Sequence, residues 1–186
     1  MKTLTILALL ALAACATAEP PRQAVPMTAA VDALFERLRA TASAEEAEAL
    51  QLAILDAFQD SGRDDVDTLV GAGLAAVQEG QPIAAIALFS EVVERAPTFA
   101  EGWNLRGLAH FINQDYADAL EDLRRALVLE PRHFGALVGL GRTLEELGHR
   151  DLALEALRAA LVINPHLAEA RAYADGLEEQ LAGVAI

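Results

Sequence analysis

From Thr28 onward, apolar positions recur at helical spacing almost without interruption. Val31, Leu34, Phe35 and Leu38 fall at i, i+3, i+4 and i+7, the stripe of an amphipathic helix. Ser43 with Glu46 three residues later is a capping-box signature. It opens a second helix, with Ala47, Leu50, Ile54, Ala57 and Phe58 on one side, that ends at Gln59–Arg63. Beyond this point the pattern repeats. Gly73, Gly107 and Gly141 are each 34 residues apart. So are Ala85, Ala119 and Ala153; Phe89, Leu123 and Leu157; and Pro97, Pro131 and Pro165. Four columns sharing one period do not arise by chance, and together with the flanks they predict about nine helices.

A 34-residue helix–turn–helix unit resembles the tetratricopeptide repeat. The middle copy, "AEGWNLRGLAHFINQDYADALEDLRRALVLEP", shows the family's large residue, glycine, paired alanines and closing proline in order. The resemblance implies an all-α, right-handed α-solenoid of three repeats over 66–167 (66–99, 100–133 and 134–167), with divergent helical caps at both ends. Each column then has a physical cause. The glycine on a first helix and the alanine on the second mark where the two axes approach most closely, and a larger side chain would push them apart. Phe89, Leu123 and Leu157 fill the space one turn later, and proline stops the second helix. In the register of the repeats Arg39 stands where glycine belongs and Gln51 where alanine belongs. Residues 28–62 therefore read as a divergent hairpin capping the front of the stack. Asp175 holds the glycine position in the last copy, so 168–186 reads as a solvating terminal helix.

The head of the chain has a different character. Met1–Ala18 carries one cation, Lys2, an apolar run and a small-residue end, the pattern of a secretory signal. "LAAC" at Leu12–Cys15 resembles the lipobox of bacterial lipoproteins, which would end the signal at residue 14 and place lipid on Cys15. "ATA" at Ala16–Ala18 is an ordinary cleavage site that would release a soluble chain from Glu19. Both routes stay open. Residues 19–27 contain three prolines and read as an extended tether. Export to the periplasm is expected, with outer-membrane anchoring if Cys15 is lipidated.

Composition narrows the chemistry. Lys2 is the only lysine, leaving thirteen arginines against 28 acids, a balance that repels nucleic acid and anionic lipid. It also removes Schiff-base chemistry and the P-loop lysine. The single cysteine allows no internal disulfide. His110, His133, His149 and His166 form no metal-binding pair, and solvated or turn-capping roles are expected. The corner Arg132–Gly135 and the nearby glycines follow no strand, so they form a helix joint rather than a phosphate loop. Ser43, Ser61 and Ser90 lie outside any nucleophile elbow. The acid pairs Glu145–Glu146 and Glu178–Glu179 read as helix surface. No enzyme, cofactor or metal is expected.

What remains is the inner face. In tetratricopeptide stacks the first helices line a concave groove that holds a peptide or partner segment. Carried over position by position, the groove comprises Asp67, Val70, Leu74 and Val77 in the first repeat. Glu101, Asn104, Leu108, Phe111 and Ile112 follow in the second, then Val138, Arg142 and Glu145 in the third. Its middle is apolar with acids around it, as interaction sites usually look. The family's carboxylate clamp uses basic residues, chiefly lysine; here only Arg142 could hold an anion. Trp103 sits in the large-residue slot, where packing is expected ahead of partner contact. The groove could instead be filled by the chain's own tether or C-terminal helix. The resulting expectation is a cell-envelope adaptor binding a protein or peptide segment. A self-assembling structural protein and a small-molecule binder or enzyme are the rivals.

Overall fold

The computed structural model describes residues 29–184; the expected signal, Cys15 and the tether lie outside the described residues. Nine α-helices make up the described chain, with no strand among the described residues. They are α1 (Ala29–Ala40), α2 (Ala44–Gln59), α3 (Asp64–Gln78), α4 (Pro82–Arg95), α5 (Ala100–Ile112), α6 (Tyr116–Leu129), α7 (Phe134–Glu146), α8 (Arg150–Ile163) and α9 (Ala168–Val184). Helices α3–α4, α5–α6 and α7–α8 are antiparallel pairs, each packed on the next, and α9 closes the row against α8. The result is an α-solenoid.

Local chemistry sets the joints. Each second helix ends two residues before Pro97, Pro131 or Pro165, which cannot donate the next helical hydrogen bond. Between the helices of a pair the chain reverses through one left-handed residue: Gly80 (φ 71°), Gln114 (φ 68°) and Gly148 (φ 83°). Ser43 accepts a hydrogen bond from the Glu46 amide at 3.2 Å, but the capping box is only half made. Glu46 does not reach back to the Ser43 amide; its carboxylate accepts from Arg37 at 2.8 Å and Thr41 at 2.7 Å.

The small-residue columns are the contacts between helices. A Cβ at Gly73 would stand 2.4 Å from the Phe89 ring, and one at Gly107 3.0 Å from Leu123 Cγ. At Gly141 it would stand 2.9 Å from Leu157 Cγ and 3.2 Å from the Ala153 carbonyl. Ala85, Ala119 and Ala153 are fully buried opposite. Trp103 packs against Leu123, Ala126 and Ala136, and its indole N–H donates to the Pro97 carbonyl at 3.0 Å. Helix α9 lays Ala170, Ala174 and Leu177 on α8 and turns Asp175, Glu178 and Glu179 to solvent.

The N-terminal hairpin departs from expectation. It does not build its core with the first repeat. Phe35, Leu38, Ala47, Leu50, Ile54 and Phe58 form one apolar cluster with Phe134, Leu137 and Ala160 of the third. Polar contacts mark its path along the turns between repeats. Arg132 reaches Asp32 at 2.8 Å, Asn164 donates to Gln51 at 2.8 Å, and the His166 ring meets the Leu38 carbonyl at 3.0 Å. The departures from the repeat pattern account for this. Arg39 and Gln51 remove the small residues a stacked pair needs, and the bulky face of α2 finds an apolar platform at Phe134 and Leu137 instead.

Candidate functional site

The first helices α3, α5 and α7 carry the expected groove positions, and the packing around each one decides whether it remains open. In the first repeat Val70 is buried in the core, so it offers no surface to a partner. The Asp67 carboxylate accepts from the Ser61 hydroxyl at 2.5 Å and the Ser61 amide at 3.1 Å, which ties α3 to the end of α2. Leu74 and Val77 are half-buried against the same core.

Glu101 is buried as well. The sequence pattern reads it as a rim acid, but it is 7% exposed, and one of its oxygens lies 2.6 Å from His133 Nε2. The same oxygen accepts from Asn104 Nδ2 at 3.1 Å. His133, 1% exposed, also accepts the Ala136 amide as the N-cap of α7, and its ring stacks on Phe58 at 4.4 Å. A carboxylate withdrawn from water needs such partners, and Phe58 of the hairpin completes the wall that withdraws it. Val138 is likewise half-buried, between the hairpin cluster and the C-terminal one. Among the described residues, the head of the groove over the second and third repeats is thus closed by the chain itself, at Glu101 through the hairpin and at Val138 through the hairpin and α9 together.

Further along the first helices the surface opens. Leu108 and Ile112, one turn apart on α5, are 41% and 43% exposed. Phe111 between them is half-buried, its ring tilted on Tyr116 at 5.5 Å. Arg142 on α7 is exposed. Glu145 accepts a hydrogen bond from the Tyr173 hydroxyl of α9. Burial raises the Tyr173 phenol above its ordinary pKa, and the Glu145 carboxylate reinforces this. Of the twelve expected groove residues, the structure leaves Leu108, Ile112 and Arg142 exposed, with Phe111, Leu74 and Val77 as a half-covered floor.

The residues that shape this site without having been read as part of it are Phe58, His133 and Phe134, although His133 does take the expected turn-capping role at the Ala136 amide. The one signal for them was Phe134 itself, a large aromatic at a position held by Val66 and Ala100 in the other repeats. Among the described residues, the exposed groove positions are two apolar side chains, Leu108 and Ile112, and one guanidinium, Arg142.

Comparison with known proteins agrees with this fold. A family model described as tetratricopeptide repeat matches residues 70–128 and 113–168. A TPR repeat-containing protein of Rhizobium etli is 31% identical over 153 residues, covering 82% of this chain and 75% of its own length. Among solved structures, MamA aligns with a TM-score of 0.60 at 24% identity, over 80% of this chain and 84% of MamA. The first TPR of Spaghetti (RPAP3), bound to an HSP90 peptide, aligns with a TM-score of 0.61 at 20% identity, over 63% and 95%. At these identities the two structures are alike in fold.

Proposed function

This chain belongs to the tetratricopeptide repeat family, and from that premise we propose that it is a protein–protein interaction adaptor of the cell envelope. It holds an extended or helical segment of its partner on the open strip of α5 and α7. The observation that carries the reading is the pair Leu108 and Ile112, large apolar side chains held in water one turn apart on a rigid helix. Peptide capture by related folds supports it: the first Spaghetti repeat domain is bound to the HSP90 peptide SRMEEVD. The TPR2B domain of yeast Sti1 is found in a complex with pHsp70. The recognition chemistry here differs from an acid-tail clamp. With Arg142 as the single cation among the expected groove positions, the partner segment is chiefly apolar, with at most one carboxylate seated on that guanidinium. The envelope setting rests on the signal pattern of Met1–Ala18 and on Cys15.

The test is capture of envelope proteins by the chain and by a Leu108→Glu/Ile112→Glu variant. Both side chains are exposed, so helicity and melting temperature hold. Loss of two central anchors, at about 2 kcal/mol each, weakens capture by more than tenfold. A folded variant that takes the same partner equally well would refute the groove as the binding surface.

A further inference from the structure

Among the described residues, packing leaves one cluster of metal-ligating side chains that the binding surface does not use. His110 lies in the last turn of α5, Asp115 at the N-cap of α6 and Asp118 in its first turn. One donor atom from each lies within 4.8 Å of the others. The Nδ1 atom of His110 is buried and has no hydrogen-bond partner. Its nearest carboxylate oxygen, Asp115 Oδ2, is 3.6 Å away, too far for a hydrogen bond. That separation suits another arrangement. Nitrogen and oxygen donors about 2.1 Å from a tetrahedral ion stand about 3.4 Å from one another.

The surroundings are consistent with a ligand set. Asp115 sits at the N-cap yet caps no amide, and its Oδ2 accepts from Asn113 Nδ2 at 2.7 Å. The other ring nitrogen of His110, Nε2, faces Asp122 Oδ2 at 3.9 Å. Asp122 is itself fixed by two hydrogen bonds from Arg106, each of 2.7 Å. At 3.9 Å Asp122 makes no hydrogen bond to the ring, but it is the kind of carboxylate toward which a metal-bound imidazole commonly turns its free N–H. Asp118 is exposed and gives an ion a path in from solvent.

We propose that His110, Asp115 and Asp118 bind a divalent transition-metal ion of the zinc class, with water completing its coordination. An imidazole nitrogen selects such ions over calcium or magnesium, and the two carboxylates balance the charge. The ion joins α5 to α6 at their turn, beside the Phe111–Tyr116 pair.

The full-length chain, titrated calorimetrically with Zn²⁺ at neutral pH, is expected to take up one ion and to melt higher with it. His110→Ala abolishes the uptake. Asp118→Asn, at an exposed position that leaves the fold intact, weakens it at least tenfold. Asp151→Asn, an exposed acid in the matching turn of α8, leaves it unchanged. Circular dichroism checks the folding of His110→Ala, and Asp118→Asn carries the test if that variant unfolds. Long-range ¹⁵N correlation spectra of the His110 ring are expected to show metal on Nδ1. No uptake up to about 1 mM Zn²⁺ would overturn the proposal. So would uptake that survives both site variants, or that is lost with Cys15→Ser.

Discussion

Replacing Gly73 by alanine adds one methyl at the closest helix contact in the first repeat. The new Cβ would lie 2.4, 2.7 and 2.9 Å from three atoms of the Phe89 ring, and Phe89 is fully buried. Ordinary contact is about 3.5–4.0 Å, so the ring must move by roughly 1 Å into a filled core. Overpacking of this kind costs about 1–3 kcal/mol, and the size of the displacement puts Gly73→Ala at the upper end. Alanine returns about 1 kcal/mol because glycine is the poorer helix former. The net is a loss of about 2 kcal/mol. At about 2–4 °C per kcal/mol for a chain this size, melting should fall by roughly 4–8 °C. Gly176 of α9 supplies the control, since nothing lies within 4 Å of its would-be Cβ. Only the helix-propensity gain of about 1 kcal/mol remains there, and Gly176→Ala should melt roughly 2–4 °C higher. Gly107→Ala, whose nearest contacts are 3.0, 3.3 and 3.4 Å, falls between the two. Thermal unfolding followed by circular dichroism measures all three. If Gly73→Ala and Gly176→Ala shift in the same direction, the glycine column is not a steric contact and the argument fails.

Phe58→Ala removes the ring that stacks on His133 and should cost about 3–5 kcal/mol. Hydrogen exchange is expected to rise first across α1 and α2 while α3 and α4 stay protected; uniform loss across all helices would contradict a separately seated hairpin. Tyr173 ionises above its ordinary pKa of 10.0 in the folded chain, so its share of stability is full below that value and declines as pH rises through the raised one. Denaturant midpoints of the wild type should therefore drop relative to Tyr173→Phe at alkaline pH, and parallel curves would argue against the Glu145 contact. Mass spectrometry of the mature N-terminus is expected to find acyl chains on Cys15, each buried CH₂ adding about 0.8 kcal/mol of membrane affinity. A free terminus at Glu19 would rule the anchor out.

The repeat was legible in the residues because its determinants are short-range and recur. Gly107, Ala119 and Leu123 belong to one helix pair, and the steric demand at their crossing is met again 34 residues away. Pro131 ends α6 wherever α6 is placed. The groove was legible only in part, since a position on the inner side of a first helix is exposed only if nothing else lies on it. Leu108 and Ile112 kept the exposure their positions implied; Glu101 and Val70 did not.

The sequence by itself determined which segments are helical, where they stop, and how each pair closes, because these follow from hydrogen-bonding capacity and side-chain size along neighbouring turns. The tertiary structure alone decided where the hairpin goes. Leu50, Ile54 and Phe58 announce that α2 has an apolar face but carry no address for it, since burying such a face is favourable and non-directional. Its destination depended on an apolar platform at Phe134 and Leu137, more than seventy residues away. Once seated there, the hairpin converted Glu101 from a surface acid into the buried partner of His133 and left the open surface to α5 and α7.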